Sequence, residues 1–150
     1  MLAADLQYPA PTLVPLTQDT PRAEDIVLEN IQSKQINEFI YLRGLAESPL
    51  RHIRFKNINV QTKGMSEIIN SEDITFDHVR IKNIKTKDFF IENSRALTFK
   101  QSKLCAKKAS NCVLIDGKDN DKINFIQTNV TRQNIDLGES VKKDNVTVSN

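Results

Sequence analysis

The feature that most constrains this 150-residue chain is a five-residue cassette that recurs six times. Each copy contains an aliphatic residue, any residue, an aromatic or aliphatic residue, any residue, and then Asn, Gln or His. The copies occupy residues 26–30, 53–57, 74–78, 97–101, 123–127 and 146–150. Their starts are 27, 21, 23, 26 and 23 residues apart. Alternation of apolar and polar residues is typical of strands, so the chain is predicted to be a repeat of short strands.

A second apolar run lies between successive cassettes, at residues 39–42, 68–69, 89–91, 112–115 and 135–137. Leucine-rich repeats have a similar period, but they need a fixed Leu-x-x-Leu-x-Leu frame that is absent here. Strands joined by bends of variable length fit a parallel β-helix better. We therefore predict an all-β, right-handed parallel β-helix over residues 26–150, with about six short coils and an Ile- and Phe-filled interior. At ~4.8 Å per coil, the rod would be ~29 Å long.

The fifth cassette position predicts a column of polar residues at a bend, because Asn tolerates left-handed backbone conformations. His78 occupies that column, so we interpret it as a structural residue rather than a catalytic one. His52 precedes its cassette at another bend and is interpreted as a surface residue.

Residues 1–25 contain four prolines and no cassette, so we predict an irregular segment that runs along or across the coils and acts as a cap. The chain has no run of about 18 apolar residues, and no membrane span is expected. The start lacks the basic and apolar regions of a secretory signal, which indicates either a cytoplasmic protein or the beginning of a cut segment. The net charge of +2 is too small to imply a nucleic-acid partner.

Two segments carry a resemblance to a known family. They are Val-Pro-Leu-Thr-Gln-Asp-Thr-Pro-Arg at 14–22, followed by the first cassette, and residues 42–58, which include Gly-Leu-Ala-Glu-Ser-Pro. Residues 14–85 resemble the last third of glycoside hydrolase family 28, the polygalacturonases and their relatives. The resemblance implies a right-handed parallel β-helix, pectic polysaccharide as substrate, and a periplasmic or secreted parent enzyme. It also implies inverting hydrolysis by paired aspartates.

The family's Asn-Thr-Asp, Asp-Asp and Gly-His-Gly motifs are missing from this chain. Arg80-Ile81-Lys82 spells a fourth family motif, Arg-Ile-Lys. However, Ile81 fills a repeating apolar slot, and the tripeptide follows the Glu-Ser-Pro segment, whereas the family's motif precedes it. No catalytic residue, metal ligand or cofactor is therefore predicted.

Basic residues are concentrated in positions 80–108, and an acidic polysaccharide could bind there by charge. The candidate contacts are Arg80, Lys82, Lys85 and Lys87. An ordinary solvated face is the alternative interpretation, because aromatic platforms for sugars are scarce in this stretch.

Three other features have weaker functional interpretations. Residues 116–121 resemble a calcium loop in composition but lack its distant Glu, so a bend between strands is favoured. Asn129 and Asn145 begin glycosylation sequons, which matter only in a secreted eukaryotic protein. Cys105 and Cys112 flank a bend; a disulfide is geometrically allowed, but two small buried thiols are favoured.

Two functional hypotheses remain. The chain is the C-terminal β-helix portion of a polygalacturonase-like hydrolase and inactive alone, or it is an independent non-catalytic β-helix for carbohydrate binding, adhesion or assembly. A first coil without a predecessor exposes a strand edge. We expect residues 1–25 to cover this edge, or two chains to associate through it as a homo-oligomer.

Overall fold

The computed structural model describes residues 2–6, 15–83, 89–105 and 111–149, which form two six-stranded parallel sheets. Sheet A contains β1 (Leu2–Asp5), β3 (Ile40–Arg43), β5 (Ser66–Ile69), β7 (Phe89–Glu92), β9 (Val113–Asp116) and β11 (Ile135–Leu137). Sheet B contains β2 (Glu24–Ile36), β4 (Leu50–Thr62), β6 (Ser71–Asn83), β8 (Arg95–Lys100), β10 (Asp121–Ile126) and β12 (Val146–Ser149).

Successive strands alternate between the two sheets, so each coil contributes one strand to each sheet. The six strands of sheet B are separated by five turns of the chain. Short 3-10 helices at Arg132–Asn134 and Lys143–Asn145 precede β11 and β12. The prediction of an all-β parallel β-helix is confirmed. No described helix is long and apolar enough to cross a membrane.

The cassettes lie in register in sheet B, and their first and third residues fill the core. Phe55, Phe76, Phe99 and Phe125 are Cα partners in consecutive strands and are fully buried. Their rings stack with centroid separations of 4.7, 4.5 and 4.9 Å. The aliphatic residues at the first cassette position stack beside them. The predicted interior of stacked Ile and Phe is therefore confirmed.

The fifth cassette residues form a column of left-handed bends, as predicted. Asn30, Asn57, His78, Gln101 and Gln127 have φ angles of 59°, 53°, 54°, 48° and 51°. Their side chains are exposed, and an Asn57 to Asn30 hydrogen bond of 3.3 Å links the first two. The sixth member, Asn150, lies outside the described residues.

A second column of left-handed residues, which the sequence pattern did not predict, precedes the first five cassettes. Asp25, His52, Asp73, Ala96 and Lys122 have φ angles between 52° and 60°. Each of the first five cassettes is thus a four-residue strand between two sharp bends, which gives the coil three faces. In β2, β4 and β6 the backbone hydrogen bonds between coils continue past the bend at the fifth cassette residue, so these strands are 13 residues long.

Buried polar side chains form a further column at the bends between sheet A and sheet B. Ser94 Oγ accepts a hydrogen bond from the Ser71 backbone N–H at 3.1 Å, and Asn120 Oδ1 accepts one from the Ser94 N–H at 3.0 Å. Asn120 Nδ2 donates to the carbonyls of Asp116 and Gly117. These contacts pair backbone groups that the bends would otherwise leave unsatisfied inside the protein.

The Gly-Leu-Ala-Glu-Ser-Pro segment forms the tight bend between β3 and β4. Gly44 has no space for a side chain, because a Cβ there would collide with the carbonyl oxygen of Asn70. Leu45 and Ser48 exchange backbone hydrogen bonds of 3.2 and 3.1 Å. The Ser48 hydroxyl donates to the carbonyl of Pro21 at 2.9 Å and so fixes the preceding segment against this bend.

The prediction that residues 1–25 are irregular is wrong at the N-terminus. Leu2–Asp5 forms β1, which pairs in parallel with β3. Leu2 and Ala4 alternate inward there, and no proline interrupts the segment before Pro9. Residues 15–23 contain neither helix nor strand, and residues 7–14 lie outside the described part of the chain.

Cys105 and Cys112 form a disulfide with a Cα–Cα distance of 5.7 Å, so the interpretation of two free thiols is wrong. The two cysteines are seven residues apart, a spacing that allows this bond but does not by itself distinguish it from two free thiols.

Candidate polyanion-binding face

The strand segments that follow the fifth-position bend present an outer surface that we call the basic face. Its inward residues, including Ile58, Val79 and Ile81, are at most 4% exposed and belong to the core. Its outward residues alternate with them and are exposed, apart from the half-buried Gln61. They are Gln32, Lys34, Asn59, Gln61, Arg80, Lys82, Lys103 and Asn129.

Cross-coil pairing arranges these outward residues in columns. Gln32, Asn59 and Arg80 are aligned Cα partners, and an isolated bridge continues the column to Lys103. Gln61 and Lys82 are partners in a second column. A groove of about 430 Å³ is lined by Gln32, Ser33, Lys34, Asn59, Val60, Gln61 and Lys82. A second, of about 340 Å³, is lined by Gln101, Ser102, Lys103, Gln127, Thr128 and Asn129.

The charge on this face has one sign. Four cations, Lys34, Arg80, Lys82 and Lys103, extend from segments that contain no Asp or Glu. None of them forms an ion pair with another described residue, whereas the ion pairs of the described chain lie on the cassette strands, their flanking bends and sheet A. Among the described residues, no carboxylate therefore competes with an external anion for these four cations.

The structure brings together two of the four residues predicted to contact an acidic polysaccharide. Arg80 and Lys82 lie on the basic face on either side of the buried Ile81, in agreement with the interpretation of Ile81 as a repeating core position. Lys85 and Lys87 lie outside the described residues. Two cations of this face were not among the predicted contacts: Lys34, which lies outside the basic run at 80–108, and Lys103, which belongs to that run. Their offset from the cassette carries a signal, since they stand four and two residues after its fifth position.

On the cassette strands, by contrast, charged residues form columns in which cations and anions alternate from one coil to the next. We call these columns the charge ladders. One ladder is Glu24, Arg51, Glu72, Arg95 and Asp121. The other is Glu29, Lys56, Asp77 and Lys100. Successive members are Cα partners in neighbouring coils, so each charge lies beside charges of the opposite sign.

Several ladder residues form direct ion pairs. Glu72 Oε2 lies 3.1 Å from Arg51 Nε and 3.0 Å from Arg95 Nη2. The hydrogen bond from Arg95, supported by the charges of Arg95 and Arg51, lowers the pKa of Glu72 although partial burial opposes the shift. At Asp77, burial raises the carboxyl pKa, but hydrogen bonds from Lys100 and His78 outweigh burial, and the net pKa is lowered.

The two histidines lie at bends beside carboxylates. His78 Nδ1 is 2.6 Å from Asp77 Oδ1, and His52 Nδ1 is 3.2 Å from Asp25 Oδ1. Both side chains are about half exposed. His78 contacts Asp77, a member of a charge ladder, and His52 contacts Asp25, a member of its own column of bends. Both histidines therefore contact repeating positions of the coils, which agrees with a structural role for His78 and a surface position for His52.

Residues 116–121 form the predicted bend between β9 and β10, with a turn at Lys118 and Asp119. The Asp116 carboxylate accepts a hydrogen bond from the Gly117 N–H at 2.7 Å. Within the described ranges, no three His, Cys, Asp or Glu side chains are grouped so that they could hold a metal ion.

Comparisons of the chain with protein-family models, with curated proteins and with solved structures find no match. The relationship to glycoside hydrolase family 28 therefore stays a prediction from the quoted sequence segments.

Proposed function

We propose that this chain is the C-terminal β-helix portion of a polygalacturonase-like glycoside hydrolase and that its basic face binds acidic polysaccharide. The hydrolase part of the proposal is supported by the residue 14–22 and 42–58 segments and by their place in a parallel β-helix. The binding part is carried by one observation: four exposed cations on a face whose strand segments contain no acidic residue.

The uncharged members of the basic face favour a polysaccharide over a nucleic acid. Gln32, Asn59 and Gln61 place amide groups beside the cations, whereas the Asn129 amide is hydrogen-bonded to the backbone of Leu104 and Cys105. An amide both donates and accepts hydrogen bonds, as a sugar hydroxyl requires. Single-stranded nucleic acids are typically held by stacking on aromatic side chains, and none of the outward residues of this face is aromatic.

The neighbouring carboxylates of Glu72 and Asp73 in sheet B are poorly suited to hydrolysis. An inverting hydrolase needs one protonated carboxylic acid and one free carboxylate. The Asp73 carboxylate is paired with Arg54 at 2.8 Å, and the ion pairs of Glu72 lower its pKa, which is the wrong direction for a general acid. We therefore expect no release of reducing ends from polygalacturonate by this chain alone, and measurable release would refute this part of the proposal.

Polygalacturonate binding tests the basic face directly. The Arg80→Gln/Lys82→Gln variant is expected to bind polygalacturonate ~3- to 10-fold more weakly in affinity electrophoresis, because it loses two exposed charge contacts. The Lys122→Gln/Lys142→Gln variant removes the same charge from other surfaces and is the matched control. Equal losses in the two variants would show that net charge, rather than this face, determines binding.

An independent non-catalytic β-helix for carbohydrate binding, adhesion or assembly is the second candidate function, since the basic face needs no catalytic residue. The two candidates differ in what precedes the chain. Paired-aspartate motifs encoded immediately upstream in the same gene would support the hydrolase, and their absence would support the independent module.

A further inference from the structure

A polar groove lies along the bends that connect sheet A to sheet B. Its volume is about 390 Å³, which is within the ~300–1,000 Å³ range of small-molecule sites. Its lining residues come from the bends that follow β3, β5, β7 and β9. Each of these bends belongs to a coil with a described coil on either side, so the groove is formed within the β-helix and not at either of its ends.

Two asparagines of the groove have hydrogen-bonding groups to spare. Asn70 and Asn93 follow β5 and β7 in the left-handed conformation, with φ angles of 46° and 45°. Asn70 Nδ2 donates to the Gly44 carbonyl at 3.1 Å, and Asn93 Oδ1 accepts a hydrogen bond from the Asp119 N–H at 3.3 Å. Asn70 Oδ1 and Asn93 Nδ2 have no hydrogen-bond partner among the described residues, so the two amides leave one acceptor and one donor for a ligand.

The groove carries charges of both signs in equal number. Lys118 and Asp119 are exposed, Asp121 is half-buried, and none of the three forms an ion pair with a described residue. Arg95 donates to Glu72 at 3.0 Å and keeps other guanidinium N–H groups. The hydrogen bond to Glu72 raises the pKa of Arg95, and the nearby charges of Asp119 and Asp121 add to this rise. Two cations and two carboxylates thus line the groove, and their charges cancel.

This mixture of groups is suited to a ligand that is rich in hydroxyls. A hydroxyl both donates and accepts hydrogen bonds, so a sugar ring can use amides, carboxylates and cations together. A polyanion would be repelled by the two carboxylates, which the basic face lacks. Ala46 and Pro49 supply an apolar part of the wall, against which the C–H groups of a sugar can pack. None of the described lining residues is aromatic, which disfavours a nucleobase.

We propose that the groove binds a neutral sugar residue of a polysaccharide. The amides of Asn70 and Asn93 and the side chains of Lys118 and Asp119 hydrogen-bond its hydroxyls, and Pro49 packs against its ring. The proposal goes beyond the function proposed above and does not rest on it, because the groove shares no residue with the basic face. A polysaccharide that contains both acidic and neutral sugars would contact the chain at two separate surfaces.

An NMR titration of the isotopically labelled full chain tests the proposal. The probes are the neutral galactotetraose, arabinotetraose, xylotetraose and cellotetraose, and trigalacturonate is the acidic comparison. At least one neutral probe is expected to shift the side-chain amide signals of Asn70 and Asn93 saturably, with a dissociation constant on the order of 1 mM for a shallow site. Trigalacturonate should shift them less at equal concentration. The proposal is overturned if no neutral probe shifts these signals, or if trigalacturonate shifts them more.

A pair of variants separates this groove from general binding. Lys118→Ala/Asp119→Ala is expected to bind the tightest neutral probe ~3- to 10-fold more weakly, because two charge-assisted hydrogen bonds are lost. Lys143→Ala/Asp144→Ala removes an exposed Lys-Asp pair from another surface and should bind as the unaltered chain does. Equal affinities of these two variants would also overturn the proposal.

The dispersion of each spectrum verifies that the variant is folded, and the signal shifts of the unaltered chain do not depend on any variant. The Arg80→Gln/Lys82→Gln variant should bind the neutral probe unchanged, which distinguishes a failure at this groove from a failure at the basic face. A matching loss of neutral-probe binding in that variant would show that the probe binds the basic face instead.

Discussion

At the scale of single residues, the coil depends on two left-handed positions that flank each of the first five cassettes. Asn and Asp occupy several of them, and these residues tolerate positive φ because their short side chains hydrogen-bond locally. Ala96 is the exception, since it holds a φ of 53° without a polar side chain. The backbone of Ala96 is therefore locally strained, whereas a glycine adopts this conformation without strain.

Ala96→Gly is therefore expected to stabilise the protein by up to about 1 kcal/mol, because it removes the steric cost of a left-handed alanine. Urea unfolding followed by circular dichroism measures the change. The same substitution at Ala3, in the middle of β1, is the control and should destabilise by ~0.5–1 kcal/mol. Destabilisation by Ala96→Gly would show that Ala96 is not strained.

The sequence pattern predicted one of the two columns of left-handed residues, the one at the fifth cassette position. The fifth-position bends were visible because Asn, Gln and His recur there. The preceding column contains Asp, His, Ala and Lys, which share a backbone conformation but no side-chain chemistry, so a search for similar residues does not find it. A serine at a bend is as common on the surface as in the interior, so the residue type alone did not identify Ser71 and Ser94 as buried.

At the scale of elements, the phenylalanine stack connects the cassette strands of four coils. Phe76 and Phe99 are each stacked between two rings and also meet Phe89 of sheet A edge to face, with centroids 6.0 and 5.6 Å apart. The stack therefore joins both sheets as well as successive coils. Loss of the Phe76 or Phe99 ring would remove its contacts with both stacked neighbours and with Phe89.

Phe99→Ala is expected to lower the free energy of unfolding by ~3–5 kcal/mol, because a fully buried ring leaves a cavity between two coils. The control is Phe90→Ala, which removes a half-buried, outward-facing ring from sheet A. Its cost should be less than half as large. Denaturant unfolding of the two variants gives the comparison, and equal losses would contradict the importance of the stack.

The strands themselves were the most predictable elements. Alternating Ile and Phe mark sheet B, and the shorter apolar runs mark sheet A, because one side of every strand is buried. β1 was missed because four residues of alternating pattern are too short to distinguish from the proline-containing segment that follows. At the basic face, Arg80 and Lys82 were found as part of a basic run. Lys103 belongs to the same run without having been predicted as a contact, and Lys34 lies outside the run; the stacking of coils places both on this face.

At the scale of the whole molecule, the charge ladders connect four or five coils along the axis of the β-helix. A one-coil slip of the pairing would place like charges beside one another in both ladders. The ladders therefore favour a single alignment of coils that have similar apolar cores, since like charges opposite each other destabilise a sheet.

Acidification should weaken this arrangement. The pKa of Glu72 is lowered below its ordinary value of about 4.5, so its ion pairs stabilise the folded state above that pH. This contribution is lost as the pH falls through the lowered pKa. We expect Glu72→Gln to be less stable than the unaltered chain at pH 7, and the difference to shrink as the pH falls below 4.5.

Urea unfolding at a series of pH values measures that difference. Glu139→Gln, at an exposed position, is the control and should differ little from the unaltered chain at any pH. A Glu72→Gln difference that stays constant down to pH 2 would contradict a role for the ionised carboxylate.

Neighbour-only pairing of the coils also has a mechanical consequence. Each sheet B strand is hydrogen-bonded only to those of adjacent coils, so a force applied to the two ends would unwind the chain one coil at a time. Each step would release 21 to 27 residues, or roughly 70 to 95 Å of extended chain. The coil that contains the Cys105–Cys112 disulfide would give a shorter step, because the covalent bond holds the intervening residues out of the extending chain.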